Sequence, residues 1–139
     1  MRMLVFAFVS ILSTASVAQS EPDAPLQMAE KMPVWHACVD FDDDDESMSC
    51  TQRSIAVFVM EHVSYPRKMR KQNRAGTVIV RFVVEKDGSV GHIEMLRGVD
   101  PALDDQVVEA VSQFPNFKPG EQRGKPVRVQ YALPVKFSL

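Results

Sequence analysis

Seven apolar residues at every second position mark the last stretch of the chain: Val127, Val129, Tyr131, Leu133, Val135, Phe137 and Leu139. Between them stand polar or small residues: Arg128, Gln130, Ala132, Pro134, Lys136 and Ser138. This period-2 alternation predicts a β-strand with one buried face. Pro134 lacks an N–H and so places the strand at a sheet edge or a bulge. An edge strand presents unpaired backbone groups to a partner.

Further patterns precede it. Val78, Val80, Phe82 and Val84 alternate with Ile79, Arg81, Val83 and Glu85. Both faces carry apolar residues, as in a central strand. Asp87-Gly88 predicts a hairpin with a type I′ turn, which needs positive φ at both central residues. Val90–Arg97 is the returning strand, with Ile93 and Met95 inward and a phase change near Gly91 that predicts a bulge. Asp100-Pro101 reads as an N-cap followed by proline at the first helical position. Asp104 and Asp105 suit the positive end of that helix. Leu103, Val107, Ala110, Val111 and Phe114 form its apolar stripe, and Pro115 ends it. Phe117–Pro126 reads as a connection bearing proline and glycine.

Thr51 or Ser54 caps an earlier helix to about Val63, with Ile55, Phe58, Val59 and His62 at i, i+3, i+4 and i+7. Tyr65-Pro66 breaks it. The basic run Arg67–Arg74 predicts one or two helical turns. The order helix, strand, strand, helix, strand predicts an α+β fold: two layers, with a three-stranded antiparallel sheet covered by helices.

The first residues have a different character. Arg2, the apolar run Leu4–Leu12 and the small residues Ser16 and Ala18 predict an export signal cleaved after Ala18. The run is shorter than the ~20 residues of a membrane span, and no later segment is apolar enough to span. Retention of Met1–Ala18 as an anchor is the alternative. Gln19–Lys31 reads as a loose N-terminus and Met32–Cys50 as a loop. The expected division is residues 1–18 signal, 19–50 extension and 51–139 folded domain.

The chain has 139 residues, 45% hydrophobic and 24% charged, with net charge −2. That suits one soluble domain. Basic residues dominate after Ser64, but no base-stacking motif or basic recognition helix accompanies them, so no nucleic-acid partner is expected. The two cysteines, Cys38 and Cys50, form a disulfide in an exported chain, worth roughly 3 kcal/mol for a loop of that size. Asp42–Glu46 lacks the glycine and final glutamate of a calcium loop. His36, His62 and His92 lack zinc-binding spacing. No metal, cofactor or catalytic group is expected, and an enzyme is the least supported class. Arg81, Arg97 and Lys136 are placed on the open, solvated sheet face.

Several segments, in order, resemble the TonB C-terminal domain family. They are Tyr65-Pro66, Gly76–Val84, Lys86–Val90, Leu103-Asp104, Phe117-Lys118-Pro119, Gly124–Val127 and Leu133–Leu139. Pro33–Cys38 with Cys50 more loosely resembles a cysteine-bearing lead-in found before some such domains. The resemblance implies a periplasmic domain onto which a segment of an outer-membrane transporter adds as a strand. It implies pairing with the last strand, so the expected partner-binding residues are Val127, Arg128, Val129, Gln130, Tyr131, Ala132 and Leu133. Strand addition draws affinity from main-chain hydrogen bonds and specificity from alternate side-chain pockets.

The chain departs from full-length TonB in lacking a convincing anchor and a long proline-rich spacer. The leading expectation is therefore an exported binding module for a transporter or another envelope protein. The alternatives are an anchored energy transducer facing the periplasm and an envelope module that self-pairs into a homodimer through its edge strand.

Overall fold

The computed structural model describes residues 24–64, 67–71 and 75–138. The expected signal, residues 19–23 and Tyr65-Pro66 lie outside them. A 3-10 turn, His36–Cys38, is followed by α1 (Asp44–His62), α2 (Arg67–Lys71), β1 (Gly76–Val84), β2 (Val90–Arg97) and α3 (Pro101–Ser112). Then come β3 (Gly120–Gln122), β4 (Lys125–Val127) and β5 (Val129–Phe137).

The main sheet is antiparallel in the order β2-β1-β5. β1 is central, which explains the apolar residues on both of its faces. β5 pairs with β1 without interruption from Gly76↔Phe137 to Val84↔Val129. Its buried residues are Val129, Tyr131, Leu133, Val135 and Phe137, so the alternation read from the sequence is the alternation of burial. α3 carries Leu103, Val107, Ala110 and Val111 into the same core, and Phe114 follows them. Asp100 caps α3 by accepting the Ala102 N–H at 3.0 Å. Asp104 accepts the Val99 N–H at 3.0 Å, tying the β2–α3 connection to the first helical turn.

The helix α1 starts well before Thr51 and takes in Asp44, Asp45 and Glu46 of the acidic run expected to be loop. The Asp43 carboxylate caps it by accepting the Asp45 N–H at 2.8 Å. Asp44, Asp45 and Glu46 occupy its first turn, where the helix dipole favours negative charge. Thr51 instead faces the core, its hydroxyl accepting the Trp35 N–H at 3.0 Å. Trp35 is buried, with edge-on contacts to Phe58, Phe114 and Phe117. The Cys38–Cys50 disulfide joins the 3-10 turn to α1. The extension is thus packed onto the helical layer.

The turn before β2 also differs from expectation. Gly88 has φ +86° but Asp87 has no positive φ, so this is no type I′ turn. Lys86, Asp87 and Gly88 form a longer loop closed by Glu85 N–H donating to Ser89 O at 2.8 Å. The Phe117 N–H donates to Gly88 O at 2.8 Å, and a Cβ on Gly88 would lie 2.0 Å from Phe117 O. The expected bulge is present: Arg81 pairs with Glu94 but Val83 with Gly91. His92 takes φ +50° within it. A two-residue turn appears instead in the segment read as a connection. Arg123 and Gly124, at φ +53° and +74°, join β3 to β4, because both central residues take the positive φ that such hairpins require.

Candidate partner-binding edge

Among the described residues, β1 is the only strand of the sheet that borders β5. Backbone groups of successive residues in a strand point to opposite sides, and the Gln130 N–H points away from β1. The N–H groups of Ala132 and Lys136 share that outward direction. They have no hydrogen-bond partner among the described residues. Pro134 falls on the same outward set, so its missing N–H costs the β1–β5 ladder nothing.

The upper part of this edge is occupied. Leu26 forms a parallel bridge with Val129. Its N–H donates to Arg128 O at 2.9 Å and its carbonyl accepts the Gln130 N–H at 2.7 Å. The lead-in then turns away and is held by Lys31↔Glu121 and Val34↔Lys118 bridges. Residues 24–31 are therefore fastened, contrary to the loose N-terminus expected there. Isolated backbone bridges, rather than side-chain burial, fasten them, since Met28 is 82% exposed.

The seven expected binding residues fall into distinct positions. Val127 belongs to β4 and pairs with Gly120. Arg128 links the strands and grips Glu85 through Nε–Oε2 and Nη2–Oε1 contacts of 2.7 and 3.2 Å. Val129, Tyr131 and Leu133 send their side chains into the core. Gln130 and Ala132 carry the outward backbone groups. Lys136, the carbonyl of Pro134 and the blocking residue Leu26 were not among the expected residues. Period-2 counting from Ala132 reaches Lys136, whereas nothing in the local sequence marks Leu26 as a strand residue.

Side chains around the edge are mutually paired. Arg81 bonds Glu94. With its amide oxygen turned toward Arg81, Gln130 accepts from Nη1 at 3.1 Å and Nε at 3.2 Å. Glu85 has His92 Nε2 at 3.7 Å as a second neighbour. On the other side of β5, Gln27, Met32, Met48 and Gln52 enclose a hollow of about 220 Å³ with Gln130, Tyr131 and Ala132. Burial holds the Tyr131 pKa above 10.0, opposed by a hydrogen bond with Gln52. Among the described residues no three His, Cys, Asp or Glu side chains converge to hold a metal, and no helix is long and apolar enough to cross a membrane.

Residues 61–139 match the family model described as the Gram-negative bacterial TonB protein C-terminal. The TonB C-terminal domain of Helicobacter pylori aligns at 23% identity and TM-score 0.49, covering 62% of this chain and 90% of the other. A longer form of that domain aligns at 21% identity and TM-score 0.47, covering 74% and 89%. The Pseudomonas aeruginosa TonB C-terminal domain aligns at 28% identity and TM-score 0.45, covering 55% and 78%. No curated protein matches. The family match spans more than half of the chain, and the chain belongs to the TonB C-terminal domain family.

Proposed function

We propose that this chain is a periplasmic binding module of TonB-dependent transport that captures an extended segment of an outer-membrane transporter, or of another envelope protein, on the edge of β5. The unpaired, outward N–H groups of Ala132 and Lys136 carry this reading. They sit on a strand already fully paired with β1 on its other side. A strand added there completes main-chain hydrogen bonds without disturbing the core. With Leu26 in place, the available rungs begin at Ala132, below the Gln130 position that the sequence suggests.

An Ala132→Pro substitution tests this directly. It removes one outward donor on an edge that already carries a proline two residues away. Affinity for peptides from transporter N-terminal segments should fall by roughly fivefold to tenfold, the worth of about one hydrogen bond. Unchanged affinity in a correctly folded variant would remove the edge from consideration. Self-pairing through the same edge predicts instead a mass that rises with concentration in light scattering. Mass spectrometry of the protein from its envelope separates the two forms of the module: a start at Gln19 means export, and an intact Met1 means an anchored transducer.

A further inference from the structure

Helix α1 has a side that the core does not use. Ser47, Thr51, Ile55 and Val59 are its buried row. On one flank Cys50 is bridged to Cys38, and Phe58 meets Trp35 and Phe114. One residue further round, about 100° away at 3.6 residues per turn, Met48, Gln52, Ala56 and Met60 make the opposite flank. Met48 is 38% exposed and Met60 49% exposed.

This flank runs beside the free edge. Met48 and Gln52 share a hollow with Gln130 and Ala132. Two to three turns later, Met60 shares another with Phe137, Arg67 and Arg70. Helix and strand therefore advance in the same direction. Beyond the Met48 end, Asp42, Asp44 and Glu30 border a larger hollow that also contains Met48. That hollow also holds Lys31 and Lys118, so charge of one sign is found at the Arg67 and Arg70 end alone.

We propose that the β5 edge and this flank of α1 form one recognition trough for an added strand with apolar side chains at alternate positions and an acidic residue at its C-terminal end. The inference rests on strand addition as the function. The pleat of an added strand sends every second side chain to the helical side, onto Met48, Ala56 and Met60. Methionine accepts varied apolar shapes because its chain is flexible and polarizable. Direction follows from Leu26, which already sits on this edge parallel to β5. A strand continuing that direction brings its C-terminal end to Arg67 and Arg70. Most of this wall, α1 through Met60, precedes the matched residues 61–139, so residues outside the family match supply selectivity to an edge inside it.

The test uses a synthetic peptide alternating valine and threonine and ending in glutamate, and a twin ending in lysine. Binding is measured by calorimetry, and the Ala132 amide is followed by NMR. The glutamate peptide should bind at least about fivefold tighter than its twin, and Arg70→Glu should abolish that preference. Met60→Glu should weaken both peptides by roughly tenfold while the Ala132 amide still shifts at saturation. Both altered side chains are exposed, and unchanged melting temperatures confirm folding. If the Ala132 amide shifts but neither substitution nor charge swap changes affinity, strand addition stands and the trough is wrong. If neither synthetic peptide shifts Ala132 but a transporter N-terminal peptide does, the trough is wrong and strand addition stands; if none of the three shifts it, both readings fall.

Discussion

Leu26 and Gln130 are joined across the edge of β5, the Leu26 carbonyl accepting the Gln130 N–H at 2.7 Å. The lead-in therefore occupies the first rung of the strand, and among the described residues nothing pairs with the rungs from Ala132 onward. A Leu26→Pro substitution removes the N–H that anchors the other half of this bridge on Arg128 O. The Gln130 amide should exchange faster with solvent, at a stability cost of about 1 kcal/mol. Hydrogen exchange followed by NMR reads this residue by residue. A Gln130 rate unchanged from the parent protein contradicts the bridge.

Reduction of Cys38–Cys50 should lower stability by roughly 3 kcal/mol without erasing the sheet, because the bridge connects the 3-10 turn to α1 and is not part of the β1–β5 pairing. Denaturant melts with and without reductant give the magnitude. Protection of the β1 and β5 amides should survive reduction.

Gly88 and Gly124 both have positive φ, yet they differ in surroundings. A Cβ on Gly88 would collide with Phe117 O, whereas one on Gly124 meets nothing within 4 Å. Gly124→Ala should cost about 1 kcal/mol, from backbone strain alone. Gly88→Ala should cost clearly more, roughly 3 kcal/mol, since the Phe117 backbone must also move. Thermal melts of the two variants rank them. Equal costs would mean that Gly88 does not hold the Phe117 segment.

Burial raises the Tyr131 pKa above its ordinary value of 10.0. The unfolded chain thus loses its phenolic proton at lower pH than the folded one. Stability from this group is intact below about pH 10 and falls as pH rises toward and through the raised folded value. Tyr131→Phe should flatten that alkaline decline in pH-dependent melts. An identical decline in the variant would assign it to other groups.

The alternation from Val129 to Phe137 made β5 legible because one residue face meets the core and the other does not. The stripe of α3 was equally legible, with Asp100-Pro101 marking its start. The sheet's order followed from the apolar residues on both faces of β1. What escaped the sequence was decided by tertiary contact. The exception is Asp43–Glu46, whose helix start is set locally, by the Asp43 cap and the acids of the first turn. The Arg123-Gly124 turn lacks the usual asparagine or aspartate signal. Leu26 has no alternating neighbours, since its one strand bridge comes from the edge it meets. At the candidate site, Gln130 and Ala132 were legible by phase. Leu26 and the Met48–Met60 wall required the packing of distant segments.

The central claim is capture on the free part of β5. Amide spectra of the protein, recorded while peptides from transporter N-terminal segments are added, test it most directly. Strand addition predicts shifts and slowed exchange at Ala132 and Lys136, with smaller changes at residues whose N–H groups already bond β1. Shifts confined to other surfaces, with Ala132 and Lys136 unmoved at saturation, would contradict it.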